Sequence, residues 1–332
     1  MDKAKWTSLS RRRNFLALVL GFGLLYGLMS SGFISMQYQG IIITIGIYVL
    51  LAASLNLTTG VLGELVLGHA GFMSIGAYTA ALFTLHMDLP ALVEFPLALL
   101  LGGALAAVFG VLIGIPALRL RGDYLAIVTL GFGEIIRVVI QNLSFTGGGR
   151  GLYGIDEYTT FPWVFWIAAL SVAVMYAMIG TRQGRAILSL RENEIAAEAV
   201  GVPGTRYKVL AFTISSFFAG VAGGLYAHYI TVLDPATFDF NMSIEILVMV
   251  VLGGMGSFTG SVLAAVVLTL LPELLRDLAD YRMLIYSVVL VLMMILRPQG
   301  LLGKREFSLS RLWERLTAML KKPVPAGGKG EE

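Results

Sequence analysis

The chain has 332 residues, of which 57% are hydrophobic and 14% are charged, and its formal net charge at pH 7 is +3. A soluble domain carries about 25% charged residues, so a globule of this length could not cover its surface, and the composition argues against a soluble enzyme. Cysteine is absent and there are 3 histidines, which excludes a disulfide framework and a Cys-based metal site and disfavours any metal site.

Apolar stretches without Asp, Glu, Lys or Arg recur along the chain. They cover residues 14–63, 65–87, 95–118, 158–181, 209–233, 246–272 and 283–296. A helix that spans the hydrocarbon core of a bilayer needs about 20 such residues. The pattern therefore predicts an all-α polytopic membrane protein with about ten transmembrane or partly spanning helices. We place these helices near residues 14–34, 40–58, 68–86, 95–118, 124–143, 163–180, 208–230, 243–255, 258–275 and 282–297.

The distribution of positive charge predicts how the chain crosses the membrane. A cluster of arginines at 11–13 precedes the first apolar stretch, and most other Lys and Arg residues fall on the same side of the predicted helices. By the positive-inside rule, both termini are cytoplasmic. We expect a basic N-terminus at 1–13, a transmembrane domain at 14–302 with a cytoplasmic loop at about 181–207, and a tail at 303–332. The tail pattern favours a short surface helix followed by disorder.

The segment 56–78 is unusual because it contains five glycines, at positions 60, 63, 68, 71 and 76. These glycines argue against a continuous helix, and irregular backbone survives at membrane depth only where protein or a watery cavity satisfies it. Broken helices often line transporter pathways, so Asn56, Glu64 and His69 are candidate pathway residues. Close helix packing followed by a cytoplasmic turn is the alternative interpretation.

Three further ionisable residues are predicted near membrane depth. Glu134 and Arg137 are three residues apart and can pair on one face of a helix, either as a structural ion pair or in a pathway. Glu245 is the third. The glycine-rich run at 146–152 lacks the Gly-Lys-Ser/Thr ending of a phosphate-binding loop and falls on the outer side, so it does not predict nucleotide binding.

The run from Ser189 to Val202 predicts a short cytoplasmic helix that Gly201 and Pro203 terminate. Its small residues, with Ala196 and Ala197 among them, would form a smooth face that fits a groove on a partner protein. The charged residues Arg191, Glu192 and Glu194 would then pair at the rim of that groove. A solvated connector is the alternative interpretation.

The order of these segments resembles the inner-membrane permease subunits of branched-chain amino acid ABC importers, specifically the larger of the two permease types. The resemblance extends from about Asn56 to Gly303. It is carried by Gly68-His69-Ala70-Gly71-Phe72, Gly76-Ala77-Tyr78, Tyr124-Leu125-Ala126-Ile127, Thr129-Leu130, Glu134-Ile135-Ile136-Arg137, Thr146-Gly147-Gly148, Gly184-Arg185-Ala186, Arg191-Glu192-Asn193-Glu194, Ala211-Phe212, Ala219-Gly220-Val221-Ala222-Gly223, Gly253-Gly254-Met255-Gly256-Ser257 and Arg297-Pro298-Gln299-Gly300-Leu301.

This resemblance implies a type II ABC importer fold in the bacterial inner membrane. The partners it implies are a second permease subunit, two ATP-binding subunits and an external substrate-binding protein, and no nucleic acid. The segment from Arg191 to Gly201 would be the coupling helix that docks on an ATP-binding subunit. This chain would then be no enzyme and bind no cofactor, because ATP and magnesium belong to that partner. Glu64 and Val66 depart from the family pattern, which has Gln and Ser there.

Other functions are compatible with parts of the sequence. Permeases of urea and short-amide importers share much of the same pattern, so branched-chain amino acids are the expected substrate and these amides the alternative. An ATP-independent channel or carrier is a further alternative, and an integral-membrane enzyme is a poorer one. The outer segments 144–162 and 231–242 are candidates for docking the external protein, and their charged residues are Arg150, Asp156, Glu157, Asp234 and Asp239.

Overall fold

The computed structural model describes residues 3–87, 89–276, 281–297 and 299–303. The predicted tail beyond residue 303 lies outside this part of the chain. The α-helices are α1 Lys3–Ser30, α2 Met36–Asn56, α3 His69–His86, α4 Ala91–Ala117, α5 Asp123–Asn142, α6 Phe161–Ile179, α7 Arg182–Glu192, α8 Glu194–Ala199, α9 Gly204–Ile230, α10 Phe240–Gly253, α11 Phe258–Leu274 and α12 Arg282–Leu296. By contacts, α1 belongs to a separate compact unit, and Ser35–Glu306 form the unit that carries the candidate sites.

Each of the ten predicted apolar helices has a counterpart, which confirms the all-α architecture. The first begins at Lys3, so the basic N-terminal residues are helical and continuous with the apolar stretch. Two further helices, α7 and α8, lie within the predicted cytoplasmic loop, where we expected one short helix at 189–202. Within the residues that the structure describes, four helical ranges are long and apolar enough to cross a membrane by length and composition, namely Met36–Leu62, Ala91–Ala117, Phe161–Ile179 and Gly204–Ile230.

Several of the remaining apolar helices are short. With 14 residues in α10 and 15 in α12, at about 1.5 Å per residue, each helix is shorter than a hydrocarbon core of about 30 Å. These lengths agree with the prediction that some helices span only part of the membrane.

The predicted break in the glycine-rich segment is present. Beyond Asn56, α2 continues as a π-helical segment, Leu57–Leu62, which ends at Gly63 in the left-handed conformation, with φ of +87°. Residues 64–68 are non-helical, and α3 begins at His69. Left-handed backbone is readily available to glycine, so Gly63 ends the segment at little conformational cost.

A second break separates α10 from α11 at residues 254–257. Gly254 and Gly256 both have positive φ, and the Ser257 hydroxyl caps α11 by accepting a hydrogen bond from the Gly260 amide at 3.1 Å. The Gly256 amide donates to Asn56 Oδ1 at 2.8 Å. The two breaks are therefore in contact at the same end of the bundle, which also carries α7 and α8; we call it the α8 end.

Small residues let the central helices approach closely. A Cβ atom placed on Gly76 of α3 would lie 2.1 Å from the Gly220 carbonyl oxygen of α9, and one on Gly102 of α4 would lie 2.7 Å from the Gly76 oxygen. In a bilayer, such packing replaces the hydrophobic effect as a source of stability. These contacts hold α3, α4 and α9 together as a compact group.

Candidate functional site

The predicted single helix at 189–202 is in fact two helices, and this is a correction to the sequence-based interpretation. Helix α7 ends at Glu192 and α8 begins at Glu194, because Asn193 is extended, with φ of −160° and ψ of 105°. Asn193 Oδ1 accepts a hydrogen bond from the Ala196 amide at 3.0 Å. Asparagine is a favoured N-cap residue, so it starts a new helix instead of continuing the old one.

The exposed face of α8 differs from the alanine face that we predicted. Ala196 is exposed, but Ala197 is buried at 4% exposure and packs inward. Ile195 and Val200 are instead 75% and 80% exposed, and both were missed in the sequence reasoning. The exposed side chains of this segment therefore include two large apolar residues in addition to Ala196. The signal was available, since both residues flank the alanine run.

The start of α8 is anchored by a group of charges that we call the Lys208 cluster, comprising Lys208, Glu64, Glu194 and Arg121. Lys208 Nζ lies 2.6 Å from Glu64 Oε1 and 2.9 Å from Glu194 Oε1, and the Lys208 side chain is 5% exposed. Exposed Arg121 reaches Glu194 at 3.7 Å. The two carboxylates neutralise the Lys208 ammonium, because a buried charge is tolerated only when it is paired. Glu64, which we predicted in the pathway set, therefore lies beside Glu194, which we predicted as a coupling residue.

Arg191 contacts the body of the helix bundle. Its Nη1 donates to the Gly60 carbonyl oxygen at 2.7 Å, and its aliphatic carbons lie near Gly63. Gly60 lies in the π-helical segment, so Arg191 supplies a donor to irregular backbone. Of the six predicted coupling residues, Glu192 is exposed, and Gly201, with φ of +89°, ends α8.

Two of the predicted pathway residues belong to a buried polar seam along α2 and α3. The Ser54 hydroxyl lies 2.8 Å from His69 Nε2, and the Ser215 hydroxyl donates to the Ser54 carbonyl oxygen at 2.6 Å. Asn56 lies two residues beyond Ser54, about half a turn further along α2, and is fully buried. Within the described chain, Asn56 Nδ2 and Thr59 Oγ1 are buried without a hydrogen-bond partner. Thr59 was missed by the sequence reasoning.

The other predicted pathway residues lie elsewhere. Glu134 and Arg137 form the expected ion pair on α5, at 2.7 Å between Arg137 Nη2 and Glu134 Oε2. Glu245 of α10 is half-buried, and the Tyr48 hydroxyl of α2 lies 3.5 Å from its Oε2. The six predicted pathway residues therefore form several local contacts and no single cluster within the described residues.

At the end opposite α8, the two predicted outer segments are joined. Leu152 and Leu233 form an antiparallel bridge with two backbone hydrogen bonds of 2.8 and 2.9 Å. Arg150, Asp156 and Glu157 are exposed. The side chains of the remaining two candidates are occupied by local capping: Asp234 accepts from the Ala236 amide and Asp239 from the Met242 amide.

A buried carboxylate near these segments was missed. Glu94, in the first turn of α4, is buried, and the Tyr158 hydroxyl lies 3.4 Å from its Oε2 and 3.2 Å from Asp156 Oδ2. Burial of the ring, with the two neighbouring carboxylates, raises the pKa of Tyr158 to about 12. The neutral phenol therefore stays available as a donor over the physiological pH range. The sequence signal for Glu94 was a single carboxylate in the first turn of an otherwise apolar helix.

Comparison with known proteins adds evidence that is independent of this geometry. A family model described as "Branched-chain amino acid transport system / permease component" matches residues 37–297. This chain is 42% identical, over 291 residues, to two proteins named high-affinity branched-chain amino acid transport system permease protein LivM, one from Salmonella typhimurium and one from Escherichia coli K12. Each match covers 77% of this chain and 68% of the relative. The LivH permease protein of Salmonella typhimurium is 26% identical over 306 residues, covering 82% and 96%.

These matches confirm the resemblance drawn from the sequence motifs, and with the apolar helices they identify a multi-pass membrane protein. The family model extends over the whole bundle from the start of α2 to the end of α12, including both helix breaks and the α7–α8 pair. The chain therefore belongs to the family of permease components of branched-chain amino acid transport systems.

Proposed function

We propose that this chain is a non-catalytic permease subunit of an ABC importer and moves branched-chain amino acids into the cytoplasm. The observation that carries the proposal is the 42% identity to two permease proteins of high-affinity branched-chain amino acid transport, over most of this chain. ATP and magnesium would be bound by partner subunits. The other partners would be a second permease and an external substrate-binding protein.

The α8 helix is the proposed docking element for an ATP-binding subunit. Ile195 in α8 and Val200 just after its last residue are both exposed apolar side chains, and the helix is capped at Asn193 and anchored at Glu194. A rigid helix with an apolar face can fill a groove on a partner, and little ordering entropy is then lost on binding. This role would put the α8 end in the cytoplasm, on the side where the positive-inside rule predicts the loop at about 181–207.

The docking proposal predicts that a charge on this apolar face breaks the complex. Ile195→Asp combined with Val200→Asp should abolish copurification with the ATP-binding subunits, because the pair would bury two unpaired carboxylates. Gln183→Asp, at an exposed position of α7, adds one negative charge away from that face and is the control for each substitution made singly. Copurification of the Ile195/Val200 variant at the level of the control would contradict docking through α8.

The substrate is tested with the complete transporter in proteoliposomes. Uptake of labelled leucine that requires ATP and the external binding protein is the expected result. Saturable uptake of urea or acetamide without leucine uptake would favour the short-amide alternative. Leucine movement by the purified chain without ATP-binding subunits would favour a channel or carrier.

The outer loops are the proposed docking surface for the external protein. The Leu152–Leu233 bridge joins the two segments that carry exposed Arg150, Asp156 and Glu157. Because the chain has no native cysteine, single cysteines at these positions can be crosslinked to the binding protein without background. Crosslinks from all three positions should form, and their absence would remove this surface from the proposal.

A further inference from the structure

The Lys208 cluster lies where three parts of the bundle meet. Lys208 is near the start of α9, Glu194 opens α8, and Glu64 belongs to the non-helical residues that follow the π-helical segment. Both carboxylates lie within 3 Å of Nζ, and the ammonium is almost fully buried. Separation of either carboxylate from Lys208 would leave buried charge uncompensated, so the pairing resists relative movement of these parts.

A second contact joins the same regions. The Arg191 guanidinium of α7 binds the Gly60 carbonyl oxygen and lies against the other break, since a Cβ on Gly256 would be 2.9 Å from its Nη1. Gly256 in turn is hydrogen-bonded to Asn56. The α7–α8 pair is therefore in polar contact with both helix breaks, through Arg191 at one point and Lys208 at the other.

We propose that Lys208 is a positioning residue that transmits a displacement of α8 to the π-helical segment. The inference rests on the proposed function, in which α8 docks on an ATP-binding subunit. An anchor that only stabilised the fold could be apolar, because a buried ion pair often adds no net stability over well-packed hydrophobic residues. A charge shared between α8 and residues 63–68 instead makes the two move together.

The first experiment measures coupling in the complete transporter, reconstituted with its second permease, ATP-binding subunits and external binding protein. Lys208→Met should still copurify with the ATP-binding subunits, but leucine uptake per ATP hydrolysed should fall at least about fivefold, the lower end of the usual range for coupling between sites. Lys208→Arg should restore coupling because it keeps the charge. Arg206→Gln is the matched control: it removes an exposed cation from the same part of α9, and should leave the ratio unchanged.

If Lys208→Met took up as much leucine per ATP hydrolysed as the Arg206→Gln control, the proposal would be overturned. If the unsubstituted complex failed to assemble or to take up leucine, the proposed function would have failed instead.

A second measurement does not depend on the folding of Lys208→Met. Spin labels at Leu65→Cys and Glu198→Cys should keep their separation when the transporter is trapped with ATP and vanadate. A change in that separation, in a pair that still transports, would show that α8 and residues 63–68 move independently and would overturn the inference.

Discussion

Helices α3 and α9 meet backbone to backbone at Gly76 and Gly220, and this contact gives a quantitative prediction. A Cβ on Gly76 would lie 2.1 Å from the Gly220 oxygen, 2.3 Å from its Cα and 2.4 Å from its carbonyl carbon. Real Cβ atoms essentially never approach closer than 3.0 Å, and all three neighbours are backbone atoms that cannot rotate away. The two helices would have to separate by about 1 Å, and because all three clashes are with backbone, the overpacking cost lies in the upper part of the usual range, at about 2–3 kcal/mol.

Gly76→Ala also gains helix propensity, about 0.8–1.0 kcal/mol relative to glycine. The net expectation is a loss of about 1–2 kcal/mol, read as a lower thermal midpoint of the purified chain in detergent. The control is Gly131→Ala in α5, where nothing lies within 4 Å of the added methyl, so it should raise the midpoint. The two substitutions are chemically identical and should move stability in opposite directions. An unchanged or higher midpoint for Gly76→Ala would refute the packing argument.

Two further predictions concern the α8 end. Asn193→Ala removes the side-chain cap and should destabilise α8 by about 1 kcal/mol, seen as faster hydrogen exchange at the Ala196 amide; exchange at the original rate would mean that the cap is dispensable. Asn56→Leu removes the acceptor of the Gly256 amide and should cost about 1–3 kcal/mol, seen as a lower thermal midpoint, whereas Asn56→Gln keeps a neutral amide acceptor and should cost less; equal losses for the two variants would contradict this role.

Sequence reasoning predicted the helical architecture well because apolar length and charge are local properties of the chain. The break after Asn56 and the interruption at residues 254–257 were both visible as clustered glycines. The Glu134–Arg137 pair was also predictable, since residues three apart share a helix face. Family motifs then supplied the transporter class, which the comparisons bear out.

Contacts between distant segments were not predictable in the same way. Nothing local in the sequence connects Glu64 with Lys208, or Gly60 with Arg191, because 144 and 131 residues separate the partners. The split at Asn193 was missed because the flanking residues all favour helix, and a single side-chain cap decided the outcome. Burial of Ala197 and exposure of Ile195 depend on which side of α8 faces α9, and this requires the tertiary structure.

The π-helical segment Leu57–Leu62 accommodates more residues per turn than the α-helix that precedes it. Relative to an uninterrupted α-helix, one extra residue accommodated in this way turns the chain beyond it by about 100°. The residues after Gly63 therefore leave the bundle in a different direction from the one that a continuous α2 would give them, and Glu64 meets Lys208 on that course.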